Sequence, residues 1–226
     1  MITRKKIIEA SEFSNEFTLA YDNKKDIYKD ALFFDLEHYV YKKPICIGVF
    51  GCAFYNENDK SLIVTQYMIE NKKEANEILL LAEKYFNDIK ETYNKKYLVT
   101  FSGNNDYTMI NYLFKQNNIN IDLQEKFIGI DLQKEYEKVK KSSIGLKNLE
   151  KEFGIDRDSE LISGSNLAKT ICKIIKDDDY MNRMPNEKKE KILSYNEQDV
   201  VSLFHMCINW DNIIKIEEQV INKAVE

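Results

Sequence analysis

Proline and glycine are scarce: the 226 residues hold two prolines, Pro44 and Pro185, and seven glycines. No Pro/Gly linker, internal repeat or low-complexity tract divides the chain, which excludes collagen-like and extended low-complexity architectures. Arginine occurs three times (Arg4, Arg157, Arg183) among 33 basic residues. Recognition built on many bidentate arginine contacts is therefore not expected. The two histidines, His38 and His205, are too few to build a zinc site by themselves. The four cysteines, Cys46, Cys52, Cys172 and Cys207, form no CxxC pair and sit in apolar stretches, so they read as reduced core residues. Neither a GxGxxG nor a Walker pattern occurs, which counts against a nucleotide-binding domain built on a glycine-rich phosphate loop. The longest apolar run, Ile45 to Tyr55, has eleven residues, against the roughly 20 of a membrane helix. The start, MITRKK, lacks an apolar signal core, so a cytoplasmic location is expected.

What remains has the balance of a folded globular protein, 43% hydrophobic and 31% charged, with enough chain for one sizeable core. The net charge of −5 gives no global basic field to attract nucleic acid passively. An enzyme acting on nucleic acid stays open, because bound divalent ions can neutralise a carboxylate cluster locally.

Residues 1–30 are polar and weakly patterned, and read as an arm or short strands ahead of the main domain. ALFFDLE (31–37) alternates with a period of two and predicts the first clear strand. Residues 45–55 and 61–69, separated by the turn-forming NENDK, predict a hairpin that completes an antiparallel meander. Apolar residues at helical spacing follow over 73–92, then a strand over 96–103, a helix over 106–116 and a strand over 126–132. Helical signals fill the rest: Leu146, Leu149 and Phe153 before a stop at Gly154, Leu167 to Ile175 after a candidate Ser165 cap, and Glu187 to Trp210. The expected fold class is α/β, a five-stranded mixed sheet with strands one to three antiparallel and strands four and five parallel. The expected organisation is an N-terminal arm (1–30), a main domain (31–210) and a C-terminal helical extension (211–226).

Asp35 and Glu37 stand two residues apart on a strand, so both carboxylates leave the same face. Two ordinary acids at a solvated strand end would explain the pair. Their setting among large apolar residues in FFDLE argues the other way. In TFSGNNDYTMI a strand runs into a turn and Asp106 opens a helix, where helix capping is the simpler alternative. In KILSYNEQDVVSLFHM, Asp199 falls inside a broad apolar face and needs a partner that no Lys or Arg one turn away on that stripe supplies. A metal is one economical partner, and a distant backbone amide or lysine is another.

Asp35-x-Glu37, then Asp106, then Tyr195-x-x-x-Asp199 resembles the DEDD superfamily of 3′-to-5′ exonucleases with a ribonuclease H-like fold, in its tyrosine subclass. The intervening IGIDL, IGLKNLEKEFGI and YNEQDVVSL stretches make the similarity closest to YprB-type ribonuclease H-like domains, over Leu32 to Met206. Asn105 departs from the pattern, which has an aromatic or apolar residue before the second-motif Asp. The resemblance implies a two-metal nuclease using Mg²⁺ or Mn²⁺, ions that prefer carboxylate oxygens. It implies that Asp35 bridges both ions, that Glu37 and Asp199 complete the shell of the ion holding the nucleophilic water, and that Asp106 supports the second. Tyr195, one turn before Asp199, would orient that water rather than act as a free base, given its usual pKa near 10. The implied partner is nucleic acid, single-stranded or at a 3′ end, with no membrane.

Other candidates read more simply as structure. Asp131 could support the site from behind or cap a helix. Lys138, Lys140, Lys141, Lys147 and Lys151 could contact phosphates, Lys147 being the substrate-binding candidate. Their alternation with Glu135, Glu137, Glu150 and Glu152 also suits a solvated helical face. The main rival to an enzyme is a non-catalytic nucleic-acid-binding or protein-interaction module on the same fold.

Overall fold

In the computed structural model, which describes residues 1–157 and 162–215, six strands form one mixed sheet. They are β1 (Ile2–Glu9), β2 (Ala31–Tyr41), β3 (Lys43–Asn56), β4 (Ser61–Met68), β5 (Tyr97–Thr100) and β6 (Ile128–Asp131). Their spatial order is β1-β4-β3-β2-β5-β6. Strands β2, β3 and β4 make the expected antiparallel meander, and β5 continues the sheet parallel to β2, with β6 parallel to β5. The helices are α1 (Glu74–Tyr93), α2 (Asn104–Gln116), α3 (Leu123–Lys126), α4 (Leu132–Lys140), α5 (Leu146–Glu152), α6 (Gly164–Lys176), α7 (Tyr180–Arg183) and α8 (Asn186–Trp210). A wider π turn, Asp211–Lys215, continues α8. The rest of the expected C-terminal extension, residues 216–226, lies outside the described residues.

The sheet has six strands where the sequence predicts five. The addition is β1, all eight residues of which pair with β4, from Ile2 opposite Met68 to Glu9 opposite Ser61. ITRKKIIE conceals this strand because an edge strand is guarded by charge and need not bury a continuous apolar face. Arg4 and Lys6 tie it instead to α8, through Glu190 and Glu197.

Alternation along β2 sends Leu32, Phe34 and Leu36 into a core with Phe86 of α1 and Phe114 of α2. Phe33 turns to the opposite side, where Leu203 and Phe204 of α8 cover it. Asp35 and Glu37 share Phe33's face by the same period of two, and therefore turn towards α8. The four cysteines are free thiols, and burial pushes Cys46, Cys52 and Cys207 up to about 12. Gly154, with φ +65°, ends α5 as expected. The cap of α6 is Ser163, whose hydroxyl accepts from the Asn166 amide, and not Ser165. Among the described residues, no helix is long and apolar enough to cross a membrane.

Candidate active site

Strands β2, β5 and β6 run parallel, and their carboxyl ends form one edge, the usual position for chemistry in such sheets. Beyond its pairing with β5, β2 carries Asp35 and Glu37, and a register shift follows directly after Glu37. The chain after β5 turns through Ser102 and Gly103 into α2, which carries Asp106 in its first turn. Helix α8 packs against β2, β3 and β4 and supplies Tyr195, Asn196 and Asp199.

Asp35, Glu37 and Asp199 each offer a carboxylate oxygen within 4.8 Å of the other two. Asp35 is half-buried, while Glu37 and Asp199 are buried. Asp106 stands outside this tight trio but is also buried, and its charge acts on Glu37. It caps nothing: Gly103 holds the N-cap position of α2, with no side-chain cap. Asp131 does both things open to it. Its carboxylate accepts from the Gln133 amide to cap α4, and from the Ser102 and Gly103 amides at 2.9 and 3.1 Å to brace the turn before Asp106.

Burial and crowding hold these acids far from their ordinary protonation. Burial raises Asp35 to about 6, against a bond from Asn196 and the nearby Arg157 charge that act the other way. Glu37 rises to about 10, through burial first and then the charges of Asp35, Asp199 and Asp106. Asp106 and Asp199 are raised well above the usual carboxylate range, again by burial and then by Asp35.

Two supports of this cluster were not evident from the sequence. The first is a buried amide relay. Arg4 Nε donates to Gln66 Oε1 (2.9 Å), Gln66 Nε2 to Asn196 Oδ1 (2.8 Å), and Asn196 Nδ2 to Asp35 Oδ2 (3.0 Å). The N-terminal strand thus helps to orient the first acid of the trio. The second is Arg157, which donates through Nε and Nη2 to both oxygens of buried Glu150 at 2.7 Å and through Nη2 to Asp199. Asp199 therefore has a basic partner, 42 residues away in sequence rather than one helical turn. After the turn at Gly154 the chain meets α8, where Gln198 Nε2 donates to the Asp156 carbonyl and Arg157 reaches Asp199.

Tyr195 is stacked beneath two cations, with the Arg157 guanidinium 5.0 Å and Lys147 Nζ 5.5 Å from its ring centre. Burial, then the Asp199 and Glu37 charges, hold its hydroxyl above its usual pKa, so it keeps its proton at neutral pH. Lys147 also donates to the Ile162 carbonyl at 3.3 Å. Lys138 pairs with Glu135 on α4, as a solvated helical face requires. His38 and His205 are not part of the acidic trio; burial lowers both.

The donor set fits a divalent cation. Three hard oxygen donors converge, a fourth acid faces them, and among the described residues Arg157 is the one cation bonded to the trio, already shared with Glu150. Carboxylates so placed are short of positive charge, a deficit that Mg²⁺ or Mn²⁺ would meet.

Residues 32–210 match the family model RNase_H_2, of the RNase H superfamily. No curated protein matches the chain.

Proposed function

The chain belongs to the RNase H superfamily, and from that premise we propose that it is a metal-dependent nuclease, a 3′-to-5′ exonuclease of the DEDD tyrosine subclass similar to YprB-type domains. Membership of the superfamily implies nucleic-acid binding. The observation that carries the nuclease reading is the convergence of Asp35, Glu37 and Asp199 within 4.8 Å, on a face with too little positive charge to balance them.

In this reading Asp35, Glu37 and Asp199 would hold one divalent ion, and Asp106 would help to hold a second. Bound ions would lower the pKa of water and stabilise charge on the scissile phosphate. The chain's own residues set the geometry. Asn196 fixes the Asp35 carboxylate through Nδ2. Asp131 fixes the turn that delivers Asp106. Tyr195 keeps its proton and so offers a hydrogen bond beside the trio, which suits positioning rather than proton abstraction. Lys147, next to Tyr195, is the candidate contact to substrate phosphate.

A second reading, a non-catalytic binding module, is favoured by one observation: Arg157 already occupies one side of Asp199. One experiment separates the two. End-labelled linear DNA and RNA, and covalently closed circles, are incubated with the protein in Mg²⁺, Mn²⁺ or chelator. Stepwise shortening of linear strands from the 3′ end, resistance of circles and full loss in chelator are expected. Cutting of circles would replace exonuclease by endonuclease. No cleavage with either ion would leave the binding module.

A further inference from the structure

Arg157 holds two carboxylates unequally. Its Nε and Nη2 donate to different oxygens of Glu150, both at 2.7 Å, in the side-on fork that suits a carboxylate best. Asp199 takes a single bond, from the Nη2 that Glu150 already shares. The third nitrogen, Nη1, is buried and has no hydrogen-bond partner. Arg4 shows what a settled structural arginine does in this chain: its Nε, Nη1 and Nη2 meet Gln66, Glu190 and Glu197 in turn. A buried donor left unpaired costs free energy, so the Arg157 arrangement is not the one that a permanent bond to Asp199 would select.

Glu150 and Tyr195 keep the guanidinium in place by themselves. Glu150 is buried on α5 and anchors it through the fork, and the Tyr195 ring centre lies 5.0 Å from it. Neither contact involves the Asp199 carboxylate, so the bond to Asp199 can open without unseating the arginine. With Asp35 and Glu37, Asp199 places three carboxylates within 4.8 Å. Their mutual repulsion is relieved by whichever positive charge is at hand, an arginine or an ion.

We infer that Arg157 is a stand-in cation, a positioning residue that holds Asp199 and Tyr195 in the metal-free protein and yields Asp199 when a divalent ion binds. The inference rests on the metal-dependent reading above and adds a competitor inside the site. Ion affinity is then set in part by the arginine, since an ion at Asp199 must replace a hydrogen bond from Arg157. This accounts for the arginine at Asp199 without a loss of metal binding.

Titration calorimetry with Mg²⁺ and Mn²⁺, without nucleic acid, measures the competition. Arg157→Gln/Glu150→Gln removes both charges together so that neither is stranded, and circular dichroism confirms that the variant is folded. It should bind the ion about tenfold more tightly than wild type, because a positive charge beside the ion is gone. Equal or weaker binding would overturn the inference. Side-chain nitrogen NMR reads the contact itself, since the chain has three arginines, and Arg4→Lys and Arg183→Lys assign the other two. At saturating Mg²⁺ the Arg157 Nη signals should shift and lose protection from exchange, while those of Arg4 and Arg183 stay in place. Arg157 signals unmoved by bound Mg²⁺ would also overturn it. Ion-dependent cleavage with Arg157 unmoved removes only this inference, and release of Arg157 by an ion without cleavage removes only the nuclease reading. A protein that binds neither ion overturns both.

Discussion

Asn196 Oδ1 lies 2.1 Å from the position that a Cβ on Gly51 would take. Gly51 is also the residue directly opposite Asp35 across the β2–β3 ladder. The missing side chain on β3 thus makes the room in which the α8 amide reaches the Asp35 carboxylate. A strand glycine that weakens local structure is here required by a close approach.

Gly51→Ala should displace Asn196, cost about 1 to 3 kcal/mol of stability as an overpacked site, and lower cleavage by loosening Asp35. Denaturant unfolding of Gly51→Ala, Asn196→Ala and the double variant checks the contact. The two effects should be non-additive, with the double variant less destabilised than the sum. Additive losses would show that the contact is not shared.

The acidic cluster makes the metal-free protein sensitive to pH in a stated direction. Glu37 is raised from its ordinary value to about 10 and Asp35 to about 6, so the folded state holds protons that the unfolded state has released. Their contribution to stability is full at low pH and is lost as pH rises from the unfolded carboxylate range towards the folded values. Metal-free Glu37→Gln should therefore gain in Tm over wild type, and gain more at pH 8 than at pH 5. Added Mg²⁺ should reverse the order at pH 8. A variant that melts below wild type at both pH values without metal would assign Glu37 a structural role.

Tyr195→Phe keeps the ring that lies under Arg157 and Lys147 but removes the hydroxyl. Metal affinity should hardly change, and the single-turnover rate should fall by about ten- to a thousandfold, the loss of one positioned polar contact. Asp199→Asn should weaken metal binding as well as rate. Isothermal titration of Mn²⁺ beside single-turnover assays separates the two roles. A wild-type rate in Tyr195→Phe would make the tyrosine a packing residue only.

Arg157 is a test of buried charge. Its replacement by leucine strands Glu150, which is 1% exposed, and should cost about 3 to 5 kcal/mol in denaturant unfolding. Replacing Glu150 by leucine as well should restore most of the loss, because an apolar pair needs no compensation. Failure of the double variant to recover would show that the arginine's bond to Asp199 carries the stability.

Much of the fold was legible locally. The sequence by itself determined the order of β2, β3, β4, α1, β5, α2 and β6, because each carries its own period of two or of 3.6. It also determined that Asp35 and Glu37 share a face and that Tyr195 and Asp199 are one turn apart, since these follow from backbone geometry within a single element. Only the tertiary structure decided that the pair on β2 meets Asp199, that Asp106 faces the trio without joining it, and that Arg157 closes on Asp199 across 42 residues. It also recruited Ile2–Glu9 as an edge strand whose Arg4 steadies Gln66 and, through it, Asn196 and Asp35. None of these contacts leaves a periodic trace: each joins residues distant in sequence, and its partner is chosen by which elements the shared core brings together.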